Sequence, residues 1–112
     1  MRIPNADAAV IAQDKLCEYL LNPDHRRGGS KAKLLNSLGY SKEEWRRFES
    51  DIRAQHLVTD AEEGRPNGYG PRYEIVAPLQ GPSGQTLTFR SVWQIDFGTD
   101  VPRFITMYPE WA

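Results

Sequence analysis

Residues 73–97 read YEIVAPLQGPSGQTLTFRSVWQIDF, a stretch that alternates apolar and polar positions on both sides of a turn. Tyr73, Ile75, Ala77 and Leu79 fall on one side of the first run, and Leu87, Phe89, Ser91, Trp93, Ile95 and Phe97 on one side of the second. Period-two patterning lets a strand bury one face, so Tyr73–Leu79 and Gln85–Phe97 are predicted strands. The intervening Gln80-Gly81-Pro82-Ser83-Gly84 carries the turn residues of an antiparallel hairpin. After a second turn at Gly98-Thr99-Asp100, Val101 to Tyr108 reads as a third strand.

Towards the N-terminus the period changes. Leu16, Tyr19 and Leu20 recur at i, i+3 and i+4 within Asp14–Leu21, and Asn22-Pro23 stops that helix. Ser30 is placed to cap a second helix through Leu38, with Gly39 where a left-handed closing residue is wanted. Ser41-Lys42-Glu43-Glu44 matches a capping box, and Trp45, Phe48, Ile52 and His56 share one face of a third helix ending near His56. Ala61 to Pro71, rich in Gly, Pro, Glu and Asn, is a linker loop. The expectation is a single α+β domain over 1–112. Its helical part, about 1–58, packs on a C-terminal antiparallel sheet of three to four strands over 72–109.

With 112 residues, 26% charged and 39% hydrophobic, the chain has the composition of one folded domain. A formal net charge of −1 gives no overall attraction to nucleic acid or anionic membrane. The charge is unevenly spread, however. Residues 23–56 hold eight basic against five acidic side chains, and residues 57–112 hold four against seven. The lone Cys17 rules out an internal disulfide framework and thiolate metal clusters, which fits a reducing compartment. No apolar run approaches the ~18 residues of a membrane span, and Met1-Arg2-Ile3-Pro4-Asn5 has no apolar signal core, so a cytoplasmic protein with no membrane partner is expected.

Polar chemistry is densest from Asp24 to Lys33. There His25, Arg26, Arg27, Lys31 and Lys33 surround the backbone amides of Gly28, Gly29 and Ser30 at a helix start. Amides at a helix N-terminus and arginine forks hold phosphate, and imidazole exchanges a proton near neutral pH. The same stretch also reads as an exposed basic loop with an ordinary surface histidine. It is not a P-loop, because the Gly-x4-Gly-Lys-Ser/Thr spacing is missing. His56 reads as a partly buried helix C-terminal residue. A metal site is not expected, since His25, His56, Asp24 and Asp60 show no ligand spacing such as His-x3-His. Tyr69, Tyr73 and Trp93, with Arg90 near the last, could stack on bases of a single strand, or they could form core. Ser91 lies on the side of Phe89 and Trp93, and Thr106 is expected on the side of Phe104 and Tyr108. Either hydroxyl fits an inter-strand hydrogen bond.

Several segments together carry a family resemblance: Arg2-Ile3-Pro4-Asn5-Ala6, Tyr19-Leu20-Leu21, His25, Lys31-Ala32, Leu38-Gly39-Tyr40, Tyr69-Gly70, Tyr73-Glu74-Ile75, Gly81-Pro82-Ser83-Gly84, Ser91-Val92-Trp93 and Arg103-Phe104-Ile105-Thr106-Met107-Tyr108-Pro109. Over almost its whole length the chain resembles a family of small bacterial proteins catalogued as a domain of unknown function, whose members look like toxin domains of toxin–antitoxin and polymorphic toxin systems. In order of elements it is also similar to the barnase–EndoU–colicin–RelE group of metal-independent ribonucleases. The second resemblance implies an RNA substrate and no cofactor, and the first a small neutralising protein partner. The second also implies His25 as base or acid, Lys31 and Arg103 as cations at the phosphate, and Thr106 with Tyr108 as hydroxyl positioners, leaving a second proton-transfer group unassigned. The alternative is a non-catalytic interaction module, antitoxin-like or an adaptor, which the near-zero net charge and the acidic second half favour. Short meanders also leave strand edges on which a homodimer could form.

Overall fold

A computed structural model describes residues 1–27 and 29–110. Helices occupy the N-terminal half and a four-stranded antiparallel sheet the C-terminal half, as α+β patterning requires. The first helix is wound as a π-helix over Lys15–Leu20 and buries Leu16, Cys17 and Leu20. Helix α1, Gly29–Ser37, buries Ala32 and Leu35. It closes with Gly39 at φ +101°, whose N–H donates to Asn36 O at 2.9 Å while Tyr40 N–H donates to Leu35 O at 3.1 Å. This pair of bonds satisfies two end carbonyls and calls for glycine at the left-handed position.

Helix α2, Trp45–Gln55, buries Phe48, Asp51 and Ile52. The capping box expected at Ser41 does not form. Ser41 is extended, but a 3-10 turn over Lys42–Glu44 leads into α2 and the Glu44 N–H donates to Ser41 O at 3.2 Å. The amide that the serine hydroxyl would cap is therefore already satisfied.

Strands β1 (Glu62–Glu63), β2 (Arg72–Gln80), β3 (Thr86–Gln94) and β4 (Arg103–Pro109) pair in the order β1-β2-β3-β4. Strand β1 lies inside the stretch read as a linker, since two residues are too few to show alternation. Strand β3 stops at Gln94 rather than Phe97. Gly70 at φ +140° bends the facing chain, so Ile95 and Phe97 bond to Pro71 and Tyr69 outside regular pairing, and Phe97 is left 74% exposed.

One face of the sheet, with Ile75, Leu79, Phe89, Trp93, Phe104 and Met107, joins Leu16, Leu20, Leu35, Phe48 and Ile52 in a single core. Strand β4 carries a bulge. Val92 pairs with Thr106 and Trp93 with Phe104, so Ile105 is the extra residue. The bulge reverses the alternation, so Phe104 and Met107 are both buried in the core while Thr106 and Tyr108 take the other side. This corrects the expectation that Phe104 and Thr106 share a side. Beside the start of β4, Val10 forms a parallel bridge to Arg103 that ties the N-terminal segment to this edge.

Candidate functional site

Asn22 begins the turn that the sequence singles out. Its Oδ1 accepts the Asp24 N–H at 3.0 Å and its carbonyl accepts the His25 N–H at 3.1 Å, a side-chain-stabilised turn typical of asparagine. Gly29 then passes so close to the turn that a Cβ would lie 2.6 Å from Pro23 O. The Gly29 N–H donates to His25 O at 2.9 Å, so this amide of the expected phosphate cradle is already used, and Gly28 lies outside the described residues. What the turn does supply is side chains, held against the π-helix.

These side chains border a cavity of about 540 Å³ lined by Ala12, Asp14, Lys15, Tyr19, His25, Arg27, Lys31, Ile105 and Thr106. Its hydrogen-bonded centre joins three elements. Lys31 Nζ of α1 donates to Tyr19 OH of the π-helix at 2.8 Å and to Thr106 Oγ1 of β4 at 3.3 Å, and the two hydroxyl oxygens are 3.2 Å apart. The ammonium also lies 5.1 Å from the Tyr19 ring centroid and 5.8 Å from that of Tyr108, within cation–π range. The His25 ring meets the Tyr19 ring edge-on at 4.8 Å. His25 Nδ1 accepts the Arg27 backbone N–H at 3.0 Å, so a neutral imidazole here carries its proton on Nε2.

Burial pushes the Tyr19 hydroxyl up, but the Lys31 and Thr106 hydrogen bonds and the Lys31 and Lys15 charges outweigh it and hold the phenol below its ordinary range. The cavity thus offers cations, a donor imidazole and an acidified phenol, a set suited to an anionic phosphate and to proton transfer. Among the described residues, no three or more His, Cys, Asp or Glu side chains gather as metal ligands.

Of the residues singled out in the sequence, His25, Arg27, Lys31 and Thr106 line this cavity and Tyr108 flanks Lys31. Arg26 and Lys33 are exposed outside it. Arg103 does not reach it. Its guanidinium grips Asp96, with Nε 2.7 Å from Oδ2, because the turn between β3 and β4 returns that carboxylate beside it. Arg90 is spread flat between Glu110 and Glu74 at 2.8 and 2.7 Å, so its charge is already matched by two carboxylates. Tyr73 and Trp93 are core residues on the face shared with Ile75 and Phe89, and no base can stack on them. Tyr69 is 72% exposed but belongs to the loop before β2 and does not line the cavity.

His56 is fully buried rather than partly so. Its Nδ1 sits 2.8 Å from Ser91 Oγ, which also accepts the Trp93 indole N–H at 3.0 Å. The Ser91 hydroxyl therefore bonds to these two side chains instead of across the strands. Tyr19 is a polar member of the site that its sequence context does not announce. Its place in an apolar stripe hides the hydroxyl, and the only local signal is Lys15 one turn earlier.

No helix among the described residues is long and apolar enough to cross a membrane. No curated protein and no solved structure matches the chain significantly. A family model does match, over residues 2–111, and the chain belongs to the family described as domain of unknown function DUF6883.

Proposed function

We propose that this chain is a metal-independent endoribonuclease, the toxic component of a bacterial toxin–antitoxin or polymorphic toxin system. The observation that carries the reading is the convergence of His25, Lys31 and Thr106, from a turn, a helix and a distant strand, on one cavity. In such a reaction the ribose 2′-oxygen attacks the adjacent phosphorus, the bond to the 5′-oxygen breaks, and a 2′,3′-cyclic phosphate remains. Charge builds on the phosphoryl oxygens in the transition state, where fixed donors are worth most. Lys31 supplies the central cation. Arg27 takes the second cationic place in the lining, since Arg103 is held by Asp96. His25 presents Nε2–H to the phosphate, and Thr106 and Tyr108 fix the Lys31 ammonium. The toxin assignment rests on the family resemblance alone.

The test is incubation of the purified protein with total bacterial RNA in EDTA, beside folded His25→Ala and Lys31→Ala variants. The expected result is fragments ending in 2′,3′-cyclic phosphate, with rates about 100-fold lower in each variant. No cleavage at any protein concentration, or equal cleavage by the variants, overturns the reading. A second reading, an interaction module, draws on Arg90 and Arg103 being neutralised by acids, which takes two of the sheet's cations out of play for a phosphate. Growth arrest on expression of the intact gene, relieved by His25→Ala, separates the two.

A further inference from the structure

With its Nδ1 lone pair already engaged by the Arg27 N–H and its neutral-form proton on Nε2, His25 is placed as a donor rather than as the acceptor of an attacking hydroxyl's proton. That arrangement leaves the accepting place to another group within the cavity. Asp14 and Lys15 come from the same helix as Tyr19, His25 and Arg27 from the turn, Lys31 from α1, and Tyr108 from β4 beside it. Asp14 and Tyr19 are the lining side chains that become bases by losing a proton from oxygen. Asp14 does not belong to the hydrogen-bonded centre, whereas the Tyr19 oxygen forms it, at 2.8 Å from Lys31 Nζ and 3.2 Å from Thr106 Oγ1.

We infer that Tyr19 and Lys31 act as a proton relay, with Tyr19 as the base that takes the 2′-hydroxyl proton and Lys31 as the acid that protonates the leaving 5′-oxygen. This inference rests on the ribonuclease reading and supplies the proton-transfer group that reading lacks.

The balance closes within the pair. In the reactive state Tyr19 is phenolate and Lys31 ammonium. The 2′-O–H proton passes to the phenolate oxygen as the 2′-oxygen bonds to phosphorus, and the P–O5′ bond breaks with its electron pair on O5′. Lys31 gives that oxygen a proton and becomes an amine. The proton on Tyr19 then crosses the 2.8 Å contact to Nζ, and phenolate and ammonium are restored without an external acid or base. The lowered pKa of the Tyr19 phenol raises the population of the reactive state, and activity should rise with pH as the phenol ionises.

Two measurements test the relay. The first follows phenolate absorbance through an alkaline titration and needs no substrate. Of the five tyrosines, the earliest to ionise should vanish in Tyr19→Phe and move to higher pH in Lys31→Met. The second is the pH profile of RNA cleavage. Tyr19→Phe should lower kcat about 100-fold with KM within about threefold, and the residual rate should lose the alkaline rise. Lys31→Arg keeps the charge but cannot give up the proton, so it should fail to restore kcat, whereas a purely electrostatic role for Lys31 predicts rescue. Wild-type protein that cuts no RNA overturns the ribonuclease reading and the relay together. Cleavage with kcat preserved in Tyr19→Phe, rescue by Lys31→Arg, or a first-ionising phenol other than Tyr19 overturns the relay and leaves the ribonuclease reading standing.

Discussion

His56 is accepted by the core only in its neutral form. Burial lowers its pKa from 6.5 to about 4, opposed in part by the Ala77 backbone. Below pH 6.5 the unfolded chain takes up a proton that the folded chain refuses, so stability is complete above that pH and falls as the pH drops towards 4. At ~1.4 kcal/mol per pH unit, the loss between pH 7 and 4.5 is roughly 2–3 kcal/mol. Urea unfolding across this range should show it, and His56→Leu should flatten the dependence whatever its stability at pH 7. An unchanged slope in that variant would refute the assignment. Asp96 and Glu110 also lose stabilisation in acid, because hydrogen bonds from Arg103 and Arg90 hold them below the carboxylate range, but they do so at lower pH. The buried side of His56 is legible in its i+4 spacing from Ile52. Its partner Ser91 is not, because nothing local to either residue marks a contact spanning 35 positions. Tyr19 and Thr106, 87 positions apart, met the same barrier. Where an element is regular, patterning reports which way a side chain faces, but not what it meets there.

The hairpin turn between β2 and β3 is more than a reversal, because it docks on the end of α1. Ser83 N–H donates to Leu38 O at 2.9 Å, and a Cβ at Gly81 would collide with that same carbonyl. Gly39, in its left-handed conformation, also lies against Ser83 and Pro82. Glycine is thus required at both faces of one contact, once by close approach and once by backbone conformation. Gly81→Ala must displace the turn or the helix end and should cost about 2 kcal/mol or more in denaturant unfolding, since the clash is with backbone. Gly84→Ala is a useful comparison. Its φ of +90° strains an alanine, yet no neighbouring atom obstructs the added Cβ, so its cost should be the smaller of the two. The reverse order would mean that the turn does not bear on α1. The hairpin itself is plain in the sequence, since alternation and turn residues coincide. The bulge at Ile105 is not, because an extra residue between Phe104 and Thr106 leaves the run of β-formers intact. Yet that bulge turns Thr106 towards Lys31, so the least legible detail of the sheet places a residue of the site.

At the scale of the molecule, the cavity exists only where the two halves of the chain meet. Tyr19, His25 and Lys31 belong to the helical half, and Ile105 and Thr106 to the last strand. The positive excess of residues 23–56 therefore reaches the site, while the acids of the second half are partly spent on Arg90 and Arg103. This is how a chain of net charge −1 can present a cationic cleft, since a local field depends on placement and not on the sum. The π-helix is the element on which this geometry depends. Its Leu16 and Leu20 are wholly enclosed in the core shared with Trp93, and Tyr19 is tied to both α1 and β4. An element held this way should not open alone. Cys17, the single cysteine, is buried in that helix and makes the point measurable. The opening free energy from thiol labelling of Cys17 under native conditions should equal the global value from tryptophan fluorescence within about 1 kcal/mol. Labelling several kcal/mol easier than global unfolding would show that the π-helix detaches by itself. The cavity would then be a transient feature of the fold rather than part of its cooperative core.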